Sequence, residues 1–117
     1  MQSGGSMDER LRQTLLYDFY GELLTERQRE AYHLYYNEDL SLTEIGEMRG
    51  TTRQAVWDMI RHADAAMKEM EEKTGLIERF LHTKEELENV VQLLKEKEPE
   101  EAVALASEKL DVLIGSL

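Results

Sequence analysis

SLTEIGEMRGTTRQAVWDMIRHA, residues 41–63, reads as two short helices joined by a tight glycine turn. Ser41 and Glu44 have the spacing of a capping box. Leu40 before the cap and Ile45 after it have the spacing of a hydrophobic staple, so two independent signals start a helix at one place. Ile45 and Met48 are apolar on this first helix, and Val56, Met59 and Ile60 on the second. Gly46 is small where two helices would cross. Gly50 can adopt the positive φ that a sharp stop demands. That layout is a helix-turn-helix, whose second helix can lie in a DNA major groove.

Working outward from this unit, the rest of the chain also reads as helix. Charged residues recur at helical spacing, one proline occurs, and no alternating strand pattern of useful length appears. The expected fold class is all-α: a trihelical helix-turn-helix core, a long fourth helix and a C-terminal helical hairpin. Upstream, a first helix is expected over Asp8 to Glu22, with Leu11, Leu15, Leu16, Phe19 and Tyr20 as its buried stripe. A second starts at Thr25, where Thr25 and Gln28 fit a capping box. Downstream, the helix that begins near Thr51 or Thr52 meets no stop signal before Thr74-Gly75. At 1.5 Å per residue it would run roughly 33 Å, so its second half is expected to pack on something beyond the first three helices. Ile77, Phe80 and Leu81 open a further segment. Thr83 and Glu86 offer a fresh capping box, and Leu87, Val90, Val91 and Leu94 continue the stripe. Pro99 suits a first helical turn. The last helix is expected to bury Val103, Ala106, Leu110, Leu113, Ile114 and Leu117, making a hairpin joined near Lys97–Pro99. The expected organisation is therefore an expression tag at 1–6 with Met7 as the natural start, a helix-turn-helix domain at 7–75, and a hairpin at 76–117 that serves as a dimerisation element.

Charge is the main constraint on partners. The chain of 117 residues carries a net charge of −11. Residues 7–75 hold nine Lys/Arg against fifteen Asp/Glu, and residues 76–117 five against ten, so neither half is basic. A nucleic-acid binder normally shows a positive face, because affinity comes largely from releasing counterions around phosphates. With no cysteine, there is no disulfide framework or thiolate zinc site, which fits a reducing cytoplasm. No apolar run approaches the roughly 20 residues a membrane helix needs, and no signal peptide is visible.

Spacing turns Val56, Met59, Ile60 and Ala63 inward and leaves Arg53, Gln54, Trp57, Asp58 and Arg61 outward. Arginine and glutamine can make paired hydrogen bonds to guanine and adenine edges, and Asp58 could accept from a cytosine amine. Ser41, Thr43, Thr51 and Thr52 sit at helix starts, where hydroxyls and backbone amides suit phosphate oxygens. The same spacing also fits a solvated face of a helical bundle. An indole on that face points to a contact with a partner or with the remaining helices. The rings of Tyr17, Phe19, Tyr20, Tyr32, Tyr35 and Tyr36 could stack on unpaired bases, but their helical spacing favours core packing. His33, His62 and His82 share no metal-ligand spacing. Acidic pairs such as Glu71-Glu72, Glu85-Glu86 and Glu100-Glu101 suit solvated helix faces. No phosphate loop or nucleophile-base arrangement appears, so neither enzyme activity, a metal nor a cofactor is expected.

The segment LYDFYGELLTERQREAYHLYYNEDLSLTEIGEMRGTTRQAVWDMIRHADAAMKEMEEKTGLIERF, Leu16 to Phe80, closely resembles the YlxM family of small bacterial proteins, with LLTERQRE, LYYNEDLSLTEI and TTRQAVWDMI specific together. Within it, Thr25 to Ala63 also resembles the DNA-binding fourth region of bacterial sigma factors. The resemblance implies an all-helical helix-turn-helix protein. It also implies a regulatory role with the signal recognition particle, because genes of that family commonly neighbour the one for the particle's protein Ffh. Arg53, Gln54, Trp57, Asp58 and Arg61 match the base-reading positions. The chain departs from the usual pattern at Arg49 and Thr51, where apolar residues normally flank the turn glycine, and at Gly46, where alanine is common. These departures imply looser packing of the turn.

Two readings follow. One is a cytoplasmic regulator, a homodimer, that binds DNA or RNA through the helix after Gly50. The other is an acidic adaptor that docks a component of the signal recognition particle without touching DNA, with Trp57 as anchor.

Overall fold

Helix starts in the N-terminal half are set by side-chain caps. In the computed structural model, which describes residues 8–117, the Asp8 carboxylate accepts from the Arg10 amide and opens α1 (Glu9–Tyr20). The segment 1–6 and the start at Met7 lie outside the described residues. A 3-10 turn, Gly21–Leu23, replaces the last turn expected of the first helix. Thr25 Oγ1 accepts from the Gln28 amide at 3.2 Å while Gln28 Oε1 accepts from the Thr25 amide at 3.1 Å, starting α2 (Glu26–Tyr36). Ser41 and Glu44 form the same reciprocal pair, at 3.0 and 2.9 Å, for α3 (Leu42–Arg49). Each N-cap of this kind is worth about 1 kcal/mol. Thr52 Oγ1 accepts from the Ala55 amide at 3.0 Å at the start of α4 (Arg53–Thr74).

Beyond Thr74 the chain turns through Gly75 (φ 64°) into α5 (Leu76–Glu96), and through Lys97-Glu98 into α6 (Pro99–Ser116). Pro99 occupies the first turn of α6, where its missing N–H costs nothing. The described residues form six α-helices and no strand, so the fold is all-α. They fall into two units, one ending at Thr74 and one spanning Gly75–Leu117.

In the first unit α4 is the spine, with α1, α2 and α3 all packed on it. Val56, Ile60, Ala63 and Met67 of α4 are buried, as are Leu16 and Tyr20 of α1, Ala31 and Tyr32 of α2 and Ile45 of α3. Within this unit the second half of α4 is tied to α1: the Tyr20 hydroxyl reaches from the end of α1 to Glu71 Oε1 at 2.6 Å and to Thr74 Oγ1 at 2.5 Å. The stripe expected on α1 is narrower than its spacing suggested. Leu11 and Phe19 are exposed, because one short helix laid along α4 buries only the side chains nearest it. Met48 of α3 is exposed as well.

In the second unit α5 packs on α6. The helix start expected at Thr83 does not form. α5 runs unbroken through it, since no glycine or proline interrupts residues 76–96 and a threonine alone does not stop a helix. On α6 the inward set is Ala102, Ala106 and Leu113, while Val103, Leu110 and Ile114, and Leu117 just past its end, are exposed. The expected stripe is wider than the face that α6 turns to α5. Small alanines face α5 and permit close approach, and the bulkier residues fall on the outer side.

Candidate nucleic-acid interface

The turn between α3 and α4 is tight for a reason visible at Gly46. A Cβ built there would stand 2.8 Å from the Thr51 carbonyl oxygen and 3.4 Å from the Arg53 nitrogen. The bare glycine therefore lets the turn backbone close down on α3. The Gly46 carbonyl accepts from the amides of both Gly50 and Thr51, the latter at 2.9 Å, and Gly50 takes the left-handed conformation at φ 67°, ψ 35°. This overturns the expectation of a loosely packed turn. Gly46 tightens the approach that alanine would hold apart, and Arg49 pairs with Glu30 of α2, so an ion pair does the joining that an apolar residue would do elsewhere.

The first two turns of α4 project from this platform. Arg53, Gln54 and Arg61 are exposed, whereas Trp57 and Asp58 are half-buried. The Trp57 ring leans from this face onto a neighbouring helix, one of the two contacts its place in the sequence points to. It lies edge-on to Tyr35 of α2, with centroids 6.3 Å apart and planes at 64°. Tyr35 in turn meets Tyr36 edge-on at 4.9 Å, Tyr36 tilts on Tyr32 at 4.6 Å, and Tyr32 stacks on Tyr17 at 5.4 Å. A continuous run of rings therefore links α1, through α2, to the exposed end of α4.

Asp58 organises the polar part of the face. Its Oδ1 accepts from Gln54 Nε2 at 3.0 Å and from Arg61 Nη2 at 3.3 Å. Two of the three exposed base-reading candidates are thereby tied to one carboxylate. No ion pair of Arg53 is present among the described residues. The Arg61–Asp58 pair is solvent-exposed on both sides, so it holds only weakly and can open to a partner. Thr52 spends its hydroxyl oxygen on the α4 cap, Thr51 is half-buried beside Gly46, and Thr43 is exposed. At the start of α3 the Ser41 amide and hydroxyl bind the Glu44 carboxylate and hold it below the usual glutamate range. The Glu44 carboxylate therefore occupies the Ser41 amide that the sequence reading offers to a phosphate, while Thr43 makes no part of that cap.

A cleft of about 510 Å³ opens between α2 and the first turns of α3 and α4, lined by Tyr35, Leu42, Arg53, Gln54 and Trp57. Tyr35 and Leu42 were not read from sequence as part of the site. Tyr35 was assigned to the core, and its approach to Trp57, across 22 residues of chain, follows from how α2 packs on α4 rather than from any spacing. Among the described residues no group of three or more His, Asp or Glu side chains could hold a metal ion, and no helix is long and apolar enough to cross a membrane.

A glycine-locked turn, a capped second helix on a trihelical platform and an exposed polar first turn define a helix-turn-helix protein. Residues 7–108 match the family model described as "Putative helix-turn-helix protein, YlxM / p13 like". The chain is 42% identical over 111 residues to a UPF0122 protein of Halalkalibacterium halodurans, covering 95% of each. It is 48% identical over 88 residues to one of Desulforamulus reducens, 75% of each chain, and 43% identical over 88 residues to one of Clostridium kluyveri, 75% of this chain and 79% of that one. The chain belongs to the UPF0122 family, the YlxM/p13-like helix-turn-helix proteins.

Proposed function

We propose that this chain is a nucleic-acid-binding regulator that uses α4 as its reading helix. The observation that carries the proposal is the exposed pair Arg53 and Gln54 on the first turn of a helix whose start is locked by Gly46, Gly50 and Thr52. A rigid helix N-terminus with a guanidinium and an amide at its tip matches the chemistry of base edges. The phosphate contacts come from the Arg53 side and the Thr51–Thr52 turn rather than from Ser41. Arg61 joins once a partner displaces it from Asp58.

The regulator acts as a homodimer through the hairpin 76–117. Support comes from Leu87, Val91 and Leu94 of α5 and from Val112 and Ile114 of α6, all exposed apolar side chains on a unit too small to cover them itself. A cytoplasmic role with the signal recognition particle rests on the resemblance to the YlxM family alone.

Anisotropy titrations with mixed-sequence DNA and RNA test the reading. Binding is expected in the range of about 10⁻⁴–10⁻⁶ M typical of non-specific complexes, weaker in Arg53→Ala and Arg61→Ala and tighter in Asp58→Asn. Unchanged affinity in both arginine variants removes α4 from the mechanism.

One observation favours a second reading. Asp58 neutralises Arg61 and occupies Gln54 on a chain of net charge −11, as suits an adaptor that docks a basic protein surface. Retention of a signal recognition particle component on the untagged chain after nuclease treatment, with Asp58→Asn weakening it, would select that reading.

A further inference from the structure

The cleft beside the reading helix combines features that a solvated helix end does not need. Its walls are two aromatic rings, Tyr35 and Trp57, and one aliphatic side chain, Leu42, while its mouth carries an exposed guanidinium and an exposed amide. Its volume of about 510 Å³ lies within the roughly 300–1,000 Å³ of small-molecule clefts. The rings do not stack on each other: they stand edge-on at 64°, so Tyr35 does not cover the Trp57 face by stacking.

We propose that this cleft receives an unpaired nucleobase of a single nucleic-acid strand, stacked on Trp57 and held at its polar edge by Gln54 and Arg53. The inference rests on the nucleic-acid reading above and deepens it by naming what kind of strand is bound. Three observations converge. First, the wall chemistry is that of stacking sites, where an aromatic platform takes the π-face common to all bases. Second, the Gln54 amide donates one hydrogen to Asp58 and keeps its carbonyl oxygen and a second hydrogen free for a donor–acceptor base edge. Arg53 stands beside it to meet a base carbonyl or the adjoining phosphate. Third, the chain cannot rely on counterion release. Both its units are acidic, and the Asp58 carboxylate stands beside Arg61 on the very face a duplex groove would have to approach. Stacking needs no net positive charge, so an acidic protein that binds nucleic acid through such a cleft resolves a conflict that groove insertion leaves standing.

Trp57 is the only tryptophan in the chain, so its emission reports the cleft directly. The full chain is titrated with pools of random 12-nucleotide single-stranded RNA, single-stranded DNA and blunt duplex DNA. In parallel, anisotropy of labelled pools is measured for Trp57→Phe, Trp57→Leu, Gln54→Ala and Arg53→Ala, each checked for an unchanged thermal transition. Single strands are expected to quench Trp57, RNA alone or both sugars alike showing whether the 2′-hydroxyl matters. Affinity should stay within about threefold in Trp57→Phe, which keeps a ring, and fall about tenfold in Trp57→Leu, as losing one stacked base implies. With one or two phosphates neutralised, log affinity should fall against log salt with a slope of only about −1. Duplex binding as tight as single-strand binding, with Trp57 emission unchanged, overturns the cleft proposal and leaves the reading helix intact. Equal loss in Trp57→Phe and Trp57→Leu with Arg53→Ala neutral also overturns it. Failure of every pool to bind overturns the nucleic-acid reading itself.

Discussion

The two units of this chain solve the problem of burying apolar surface to very different degrees. Up to Thr74, four helices share a core of fully buried side chains, among them Leu16, Tyr32, Ile45, Ile60 and Met67, and α1 to α4 each begin on a side-chain cap. From Gly75 onward, two helices share five buried side chains, three of them on α6, and neither start carries a side-chain cap bond. Among the described residues, ten large apolar side chains of the second unit are exposed, against four of the first. Units near 40 residues rarely close a core alone. The contrast sets a first unit that closes its own core against a second whose outer faces stay open, which is what the proposed dimer would cover.

The largest effect should come from attacking that unfinished face. A double substitution, Leu87→Glu with Val91→Glu, places charge on the α5 outer stripe. Each apolar side chain lost from an interface forfeits about 1.5–3 kcal/mol, and in a symmetric dimer each counts twice. Sedimentation should show a dimer turned to monomer at micromolar concentration, with the circular dichroism of the first unit's melting transition unmoved. A wild-type chain that is monomeric at every concentration breaks the contrast at once.

Next come substitutions that weigh the two cores directly. Ile60→Ala opens a cavity at a side chain 1% exposed and is expected to cost about 3–4 kcal/mol in urea unfolding. Ile114→Ala, at 66% exposed, should cost within about 0.5 kcal/mol in dilute chain. Its cost should rise with concentration if copies pair through it. Equal costs at all dilutions would mean that the outer face of α6 is covered within the chain.

A smaller effect is expected at the turn. Gly46→Ala forces a Cβ to within 2.8 Å of backbone, where no flexible side chain can give way, and should cost about 1–3 kcal/mol. It should also weaken nucleic-acid binding more than its stability cost explains, since α4 is presented by that approach. A neutral Gly46→Ala would restore the expectation that the common alanine fits here.

How far the sequence was legible follows the same division. The starts of α2 and α3, the Gly50 stop and the all-α class were readable, because capping boxes and left-handed glycines act within four residues and leave local signals. The false helix start at Thr83 shows the limit: a capping-box spacing without a breaker before it is only a spacing. The inward set of α6 is narrower than its apolar stripe, because a stripe says which side chains want cover and not how many neighbours will give it. At the candidate site, the exposed placement of Arg53, Gln54 and Arg61 followed from helical periodicity. The hold of Asp58 on two of them did not, although their i,i+4 and i,i+3 spacings contained it. Tyr35 was out of reach altogether, since its meeting with Trp57 is made by packing.

The smallest effect tests chemistry confined to the first unit. Tyr32 is 1% exposed, its ring stacks on Tyr17, and among the described residues its hydroxyl has no hydrogen-bond partner, nor has Asp64 Oδ1. A buried hydroxyl left unpaired gives nothing back for its lost hydration. Tyr32→Phe keeps the ring and removes the hydroxyl, so it should be neutral or stabilising by about 1 kcal/mol. Burial, and after it the Asp64 charge, raise the Tyr32 hydroxyl above its ordinary value of 10.0, and burial raises Tyr36 in the same direction. The sign follows: the folded chain keeps these protons while the unfolded chain sheds them, so their contribution is intact below pH 10 and is lost as pH climbs beyond it. Residues 75–117 contain no tyrosine, so this alkaline loss belongs to the platform and not to the hairpin. Urea midpoints at pH 8 and about pH 11 should therefore converge in Tyr32→Phe, incompletely because Tyr36 remains. A variant destabilised by more than about 1 kcal/mol at pH 8 would show that the hydroxyl has a partner after all. The run of rings from Tyr17 to Trp57 would then be held by a polar contact in addition to its stacking.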